Sequence, residues 1–346
     1  MITLSINNIS VTVPPGSTVL EAARSANIMI PTLCHHPKLT SFGGCRLCIV
    51  QIEGVPRPVT SCTTPAAEGM VVTTSSPELE SLRRTVLELI LSDHPNDCMV
   101  CEGAGACDLQ NFAYEYGIRD NPHAGERRIY EKRDGNPFVE REMEKCILCG
   151  RCVKVCDEVQ GVGAINFTYR GFKSKICPPF ERDLDCEFCG QCMSVCPTGA
   201  LTGKPWARKG RTLGMRRIRS VCGYCGVGCE IMLHVADNRV VKITSPSDAW
   251  NDGWLCVKGT FGYGFIESPE RLTAPLIRKN GELQEASWEE ALSLVAAKLS
   301  AIKAEFGPDA IGGLSSARCT NEENYAFQKF MRAGVGTNNI DHCARL

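Results

Sequence analysis

The sequence predicts a multidomain α+β protein, built from several small domains in series. The chain has 346 residues and 22 cysteines, and most of those cysteines fall into four separate groups. This length exceeds that of one small cysteine-rich module. Short alternating strands, amphipathic helices and glycine-rich or proline-rich loops follow one another along the chain, which favours separate small domains.

The first domain is predicted to begin with a β-hairpin and a short helix. Residues 2–13 alternate around the turn pair Asn7-Asn8, and residues 19–26 have helical spacing. The first cysteine group then follows on loops and strand edges: Cys34, Cys45, Cys48 and Cys62. Its wide spacing leaves two alternatives, a binuclear iron-sulfur cluster held by a loop or a zinc knuckle with two further cysteines.

A second group lies after a predicted amphipathic helix that Ser76 and Pro77 begin and that runs up to His94. The group consists of one histidine and three cysteines: His94, Cys98, Cys101 and Cys107. Since a fourth thiolate is missing and imidazole can replace one, we predict that His94 is a ligand. The alternative is a surface histidine at a helix end. Polar residues 121–136 are predicted to form a linker.

The third group is an internal repeat. The motif C-x2-C-x2-C-x3-C begins at Cys146 and again at Cys186, which is too dense for one tetrahedral zinc site. In two-cluster ferredoxins the fourth cysteine of each run binds the other cluster. The two expected ligand sets are Cys146, Cys149, Cys152 with Cys196, and Cys186, Cys189, Cys192 with Cys156. Asp157 stands where the first run would have a proline, whereas Pro197 follows the second.

The fourth group is Cys222, Cys225, Cys229 and the distant Cys256. Glycines around the first three allow a close approach of backbone to a cluster. Lys258, two residues after Cys256, is either a solvated side chain or a group that acts beside the cluster. The remaining Cys177, Cys319 and Cys343 are predicted to be packing or free thiols.

Two further segments complete the chain. Basic residues 208–219 are predicted to be a solvated linker. From residue 287 onward, helical and strand patterns alternate, which predicts the start of an α/β domain.

Composition excludes several classes of function. The net charge of -1 gives no attraction to nucleic acid, and no apolar run is long enough to span a membrane. The N-terminus has no export signal, which predicts a cytoplasmic protein. Thiols stay reduced in that compartment, so dense cysteine runs indicate metal ligands more often than disulfides.

Residues 1 to about 205 resemble the N-terminal region shared by [FeFe] hydrogenases and cytoplasmic formate dehydrogenases, and the first part also resembles the large subunit of complex I. The resemblance is carried by the C-x10-C-x2-C-x13-C and H-x3-C-x2-C-x5-C sets. From residue 220 the chain resembles molybdopterin oxidoreductases, whose lysine between cluster and pterin matches Lys258. The resemblance implies five domains: a β-grasp [2Fe-2S] domain (1–78), a His/Cys [4Fe-4S] domain (79–120), a two-cluster ferredoxin domain (137–206), a molybdopterin oxidoreductase [4Fe-4S] domain (215–271) and the start of the molybdopterin oxidoreductase α/β domain (272–346).

The implied function is the iron-sulfur part of a formate dehydrogenase catalytic subunit. One [2Fe-2S] and four [4Fe-4S] clusters would carry electrons from formate, which becomes CO2 at a molybdenum or tungsten bis-molybdopterin guanine dinucleotide in the full-length enzyme. The acceptor would be a flavin- and NAD-binding diaphorase-type subunit, a hydrogenase or a ferredoxin. Residues 336–346 are similar to the segment before the metal-binding cysteine or selenocysteine of formate dehydrogenases. We therefore interpret the chain as truncated at a selenocysteine codon and inactive alone.

Three alternatives remain at this point. The first is a stand-alone electron-transfer subunit of a hydrogenase or of an NADH-dehydrogenase-like complex. An [FeFe] hydrogenase would need further cysteine motifs for its catalytic cluster. A complex I subunit is disfavoured by the ferredoxin repeat with two full four-cysteine runs.

Overall fold

A computed structural model describes residues 1–123, 125–131, 135–206 and 214–342. The chain divides into two compact units. The first comprises Met1–Ile218, Leu233–Thr244 and Trp254–Phe261. The second comprises Arg219–Met232, Ser245–Gly253 and Gly262–Leu346.

The first unit begins with a mixed five-stranded sheet in the order β2-β1-β5-β3-β4. Its strands are β1 (Ile2–Ile6), β2 (Ile9–Val13), β3 (Ile49–Ile52), β4 (Val59–Thr60) and β5 (Val71–Thr73). Strand β1 pairs antiparallel with β2 and parallel with β5, and β3 pairs antiparallel with β4 and β5. Helix α1 (Val19–Ser25) buries Val19 and Leu20 in the core that it shares with the sheet.

The predicted hairpin is confirmed, and local sequence explains it. Leu4 and Val11 face each other across β1 and β2 and are both buried. Asn7 and Asn8 adopt positive φ angles of 51° and 67°, which the tight turn of a two-residue hairpin requires. Residue alternation therefore directs one face of the hairpin into the core.

Helix α2 (Pro77–Ser92) confirms the second local prediction, although it ends two residues before His94. The Ser76 hydroxyl accepts a hydrogen bond from the Leu79 amide, which caps the helix. Buried Arg83 donates to the carbonyl oxygens of Ile49 and Thr74, at 2.7 Å each, and so ties α2 to the sheet. The loop with the second cysteine group leads into α3 (Asp108–Glu115).

The repeat forms a small module with its own core. Its elements are β6 (Val139–Arg141), α4 (Arg151–Lys154), β7 (Asn166–Thr168), β8 (Lys175–Cys177), α5 (Gln191–Ser194) and β9 (Leu201–Gly203). Strands β6 and β9 pair antiparallel, as do β7 and β8. Helices α4 and α5 lie within the two like cysteine runs, each beginning after the second cysteine, and α4 continues into a π-helical turn at Val155–Val159. The chain thus builds each half of the repeat in the same way.

The predicted linkers need correction at their ends. Residue 124 and residues 132–134 lie outside the described residues. Asn136, at the end of the first predicted linker, is buried. Its side chain donates a hydrogen bond to Leu184 O and accepts hydrogen bonds from the backbone amides of Phe138 and Val139. Of the basic stretch 208–219, residues 208–213 are not described. The residues from 216 onward belong to strand β10 (Arg216–Val221), so this end is not a linker. Backbone pairing in a sheet outweighs the polar composition there.

Strands β11 (Glu230–Ala236) and β12 (Arg239–Thr244) and helix α6 (Val257–Phe261) come next in the chain. The division between the two units passes through β10 and β11. Within the first unit, the Thr260 hydroxyl donates to the Cys189 carbonyl oxygen at 2.9 Å, and the side-chain Nε2 of Gln191 donates to Leu255 O. These bonds attach the segment around α6 to the second run of the repeat.

The rest of the second unit confirms the predicted alternation of strands and helices. Its elements are β13 (Leu276–Lys279), β14 (Glu282–Glu285), α7 (Trp288–Phe306), β15 (Gly313–Ser315), α8 (Asn321–Lys329) and β16 (Ile340–His342). Strands β15 and β16 pair in parallel, with α8 between them in sequence. The last four residues, 343–346, which end the segment on which the predicted truncation rests, lie outside the described part.

No helix among the residues that the structure describes combines the length and the apolar character that crossing a membrane requires.

Candidate iron-sulfur cluster sites

The thiols of the first group converge in the core beside the five-stranded sheet. Cys34 is hydrogen-bonded to the thiols of Cys45 and Cys62, and Cys48 to that of Cys62. These bonds lower the pKa of Cys34, and they lower the pKa of Cys48 to about 6. The Cys45 amide also donates to Cys34 Sγ at 3.5 Å. The same bonds between thiols raise the pKa of Cys45 and Cys62, so the four thiols form one hydrogen-bonded group.

Two arginines act on the histidine that follows the first cysteine of this group. Arg24 Nη1 lies 2.9 Å from His35 Nε2, and His35 directly follows Cys34. Burial, together with the charges of Arg24 and Arg151, lowers the pKa of His35 to about 4. His35 is therefore neutral near pH 7, and both arginines contribute positive charge beside it.

The second group contains a histidine whose tautomer can be assigned. His94 Nδ1 lies 2.8 Å from the carbonyl oxygen of Pro95, which can only accept a hydrogen bond. Nδ1 therefore carries the proton, and Nε2 presents a lone pair. That Nε2 atom is buried and has no hydrogen-bond partner among the described residues. Burial lowers the pKa of His94, which keeps the ring neutral. An orphaned, neutral Nε2 fits the chemistry of a metal ligand.

The cysteines of the second group lie near one another and near that histidine. A cavity of about 210 Å³ is lined by His94, Cys98 and Cys107 among other residues. Cys107 caps α3, and its sulfur accepts a hydrogen bond of 3.4 Å from the Gln110 amide. Burial, with a smaller contribution from the thiolates of Cys101 and Cys98, raises the pKa of Cys107 to about 11. Without a bound cation, burial therefore disfavours the thiolate form of this cysteine.

The two runs of the repeat hold their first cysteines in the same local geometry. Leu148 and Phe188, each two residues after such a cysteine, have positive φ angles of 54° and 53°. The Leu148 amide donates to Cys146 Sγ, and the Phe188 amide donates to Cys186 Sγ, each at 3.4 Å. Left-handed residues between helical or extended ones turn successive amides towards one point, which suits an anionic centre.

The same geometry recurs at the second cysteine of each run. Gly150 and Gly190 have φ angles of 76° and 78°, which glycine adopts without strain. The next amides, of Arg151 and Gln191, hydrogen-bond to the sulfurs of Cys149 and Cys189. Each run therefore presents two backbone donors to its own sulfurs, and such bonds tune the potential of iron-sulfur clusters.

The structure brings the last cysteine of each run close to the other run. The thiol of Cys196 contributes to raising the pKa of Cys146 and Cys149, and that of Cys156 contributes to raising the pKa of Cys186 and Cys189. In all four, burial is the largest cause. A largely apolar cavity is lined by Cys146, Cys149, Cys152 and Cys196. The crossed ligand sets remain a prediction, which this placement supports.

The fourth group is divided between the two units. Cys222, Cys225 and Cys229 lie in the second unit, where the Cys222 amide donates to Cys229 O at 2.8 Å. Cys256 and Lys258 lie in the first unit, where both side chains are exposed. Their joint ligation of a cluster remains a prediction.

The remaining thiols differ in their surroundings. Cys177 is buried, and the Thr168 hydroxyl lies 3.0 Å from its sulfur, whereas Cys319 is exposed. Cys343 lies outside the described residues. Within the described ranges, no three His, Cys, Asp or Glu side chains are arranged to hold a single metal ion.

Direct backbone contacts connect the second group to the repeat. The Asp108 amide donates to Pro197 O at 2.9 Å, so the residues following Cys107 and Cys196 are hydrogen-bonded. A Cβ atom added to Gly199 would lie 2.6 Å from Cys101 Sγ. These contacts were not predicted, because nothing local in the sequence pairs segments so far apart.

Two arginines near the repeat were also missed. Arg151 lies between the second and third cysteines of the first run and pairs with Asp108 at 3.4 Å. Arg141, on β6, lines the cavity of the first run. A basic residue inside the ligand motif was a visible signal for Arg151. No sequence signal marked Arg141.

Comparison with protein families identifies the successive segments. The matching families are a 2Fe-2S iron-sulfur cluster binding domain (1–77), the NADH-ubiquinone oxidoreductase-G iron-sulfur binding region (83–122), the ferredoxin-like domain of NADH-quinone oxidoreductase subunit 3 (136–202), the molybdopterin oxidoreductase Fe4S4 domain (215–268) and molybdopterin oxidoreductase (271–346). The kinds of domain that we predicted are present, while the details of each fold and the exact boundaries remain predictions.

Relatives match along the whole chain. The NADPH-Fe(3+) oxidoreductase subunit alpha of Geobacter sulfurreducens is 42% identical over 346 residues, covering 100% of this chain and 40% of the relative. An NADH-quinone oxidoreductase subunit of Rhizobium meliloti is 37% identical over 352 residues, covering 100% and 40%. A chain of the NAD+-reducing [NiFe]-hydrogenase in the H2-reduced state is 33% identical with a TM-score of 0.56, covering 60% of this chain and 88% of that one. The chain thus spans about 40% of the length of these two curated relatives.

Fold, cysteine placement and these matches define the class: the chain is built from iron-sulfur domains of the kind that oxidoreductase subunits contain. Residues 215–268 and 271–346 match molybdopterin oxidoreductase families, and the chain as a whole is similar to subunits of an NADPH-Fe(3+) oxidoreductase and of an NADH-quinone oxidoreductase. One of our interpretations of the sequence was wrong. The ferredoxin repeat does not argue against kinship with complex I, because a family of NADH-quinone oxidoreductase subunits matches that repeat.

Proposed function

We propose that the chain is the electron-transfer part of a molybdenum- or tungsten-dependent formate dehydrogenase that acts in the cytoplasm. The observation that carries electron transfer is the duplicated cysteine geometry, in which matching amides hydrogen-bond to the first two sulfurs of each run. The formate assignment is supported by the resemblance of residues 336–346 to formate dehydrogenases. The proposed partner is a flavin- and NAD-binding subunit, a hydrogenase or a ferredoxin.

The proposal assigns one binuclear and four tetranuclear clusters to the chain, which would supply one-electron carriers when bound. The proposed ligand sets are the four groups defined above, with the crossed assignment inside the repeat. His94 would bind through Nε2, since Pro95 O holds the proton on Nδ1. Lys258 is proposed to lie between the fourth cluster and a pterin. The count of clusters and these roles are part of the proposal.

A specific observation favours a second candidate, an NAD(P)H-linked oxidoreductase subunit. Relatives with 42% and 37% identity along the whole chain are named as an NADPH-Fe(3+) oxidoreductase subunit and an NADH-quinone oxidoreductase subunit. In this alternative, clusters held by the same ligand groups would accept electrons from NAD(P)H instead of formate.

Iron and sulfide quantitation with EPR on the anaerobically reconstituted chain tests the ligand sets. We expect one binuclear and four tetranuclear signals. His94→Ala should shift or abolish one tetranuclear signal, because no thiolate replaces the lost nitrogen. His123→Ala is the matched control, since the side chain of His123 is 41% exposed and lies 3.7 Å from Glu88. An unchanged spectrum in His94→Ala would remove His94 from the ligand set, and a colourless wild-type protein would refute the proposal.

The electron donor is tested on the full-length protein purified with its partners. Formate should reduce the clusters in the absence of NAD(P)H. Reduction by NAD(P)H alone, with no response to formate, would reject the formate dehydrogenase proposal and support the second candidate.

A further inference from the structure

Arg141 is a cation placed beside both halves of the repeat. It ends strand β6, whose pairing with β9 fixes its position through the partner Leu201. Its Nη2 donates to the carbonyl oxygen of Ile176 at 2.9 Å, so the guanidinium is held in place. The side chain lines the cavity of the first run. It also lines an adjoining pocket that contains Cys177.

Sulfurs of both proposed clusters act on this guanidinium. Burial lowers the pKa of Arg141, while the thiolates of Cys177, Cys192, Cys152 and Cys146 raise it. Cys146 and Cys152 belong to the first proposed ligand set, and Cys192 belongs to the second. One fixed positive charge therefore lines the cavity of the first set and lies within electrostatic range of a sulfur of the second.

The neighbouring basic side chains are neutralised by carboxylates. Lys145 pairs with Glu142, and Lys175 pairs with Glu181. Among the ion pairs of the described residues, none includes Arg141. Among these described residues, the charges that offset that of Arg141 are those of the nearby sulfurs.

We propose that Arg141 is a cation that raises the redox potentials of both clusters of the repeat by stabilising their reduced forms. This inference rests on the proposed ligation of clusters by the two runs. A tetranuclear cluster with four thiolates gains one negative charge when it takes up one electron, and no bond is made or broken. A nearby positive charge favours the more negative state, so it raises both potentials.

The test is an EPR-monitored redox titration of the anaerobically reconstituted chain. Arg141→Gln removes the charge and should lower both potentials. We expect the oxidised-to-reduced ratio of each cluster to rise by about tenfold at a fixed ambient potential, which is 59 mV for a one-electron couple. Arg141→Lys keeps the charge and should retain the wild-type potentials.

Arg182→Gln is the matched control. Arg182 lines the same outer pocket, but it is exposed and lies over the ring of Phe180 at 5.6 Å. Its removal should leave both potentials unchanged, because solvent screens an exposed charge.

Each outcome decides the proposal. Unchanged potentials in an Arg141→Gln protein that holds both clusters would overturn it. If Arg141→Gln and Arg141→Met lose the clusters, Arg141→Lys decides the question. Retention of both clusters at wild-type potential in Arg141→Lys supports the role of the charge. Loss of the clusters in Arg141→Lys overturns the proposal, because the shape of the arginine side chain would then be what matters. Absence of clusters from the wild-type chain would instead defeat the proposed function, so the two failures are distinguishable.

Discussion

Gly199 is the position where a single methyl group should disturb a cysteine of a different domain. A Cβ atom there would lie 2.6 Å from Cys101 Sγ and 3.2 Å from the Gly103 nitrogen, whereas ordinary contacts begin at 3.4 Å. In Gly199→Ala the sulfur or the backbone must therefore move by about 0.8 Å. Overpacking of this kind costs about 1–3 kcal/mol. Alanine also lowers the conformational entropy of the unfolded chain, which stabilises the folded state by about 0.4–1 kcal/mol and offsets part of that cost. Overpacking is the larger effect, and we expect a net destabilisation of about 1–2 kcal/mol.

Urea denaturation followed by circular dichroism measures this change, and EPR of the reconstituted protein reports the displaced cysteine. The signal assigned to the His94 group should change, although the substitution lies in the ferredoxin repeat. Gly264→Ala is the control, because a Cβ atom there meets nothing within 4 Å and its φ is not positive. Wild-type stability together with an unaltered spectrum in Gly199→Ala would refute the close packing of the two loops.

Two other predictions concern ligation and pH. Cys196→Ser should perturb the cluster of the first run, and Cys156→Ser should perturb that of the second. EPR distinguishes the two clusters when each substitution is made in a variant that lacks the other cluster. The reverse assignment would contradict the crossed ligand sets. His234 is buried beside Thr244, and burial, with Lys242 and Arg217, lowers its pKa to about 4. Since the unfolded value is about 6.5, the unfolded chain binds the proton more readily, and stability should fall as pH drops from about 6.5 towards 4. In His234→Gln, the free energy of unfolding from urea titrations should depend less on pH between about pH 7 and 5 than it does in the wild type. An equal slope in both proteins would contradict this role of His234.

Local sequence determined much of the candidate sites. The runs beginning at Cys146 and Cys186 carry their ligands within a few residues, and a glycine at the same place in each run permits the turn that directs amides to sulfur. The hairpin at Asn7 and Asn8 and the capped helix after Ser76 were predictable for the same reason. In each case, residues close in sequence decide the conformation of a few φ and ψ angles.

Only tertiary structure decided which distant groups meet. Arg141 reaches the sulfurs because β6 pairs with β9, and Gly199 meets Cys101 because two loops pack with no side chain between them. Lone arginines and glycines are frequent, so sequence alone gives them no partner. Strand pairing and close packing join residues far apart in the chain, and these long-range contacts place the charges and limit the space around the thiolates that the sequence had already marked.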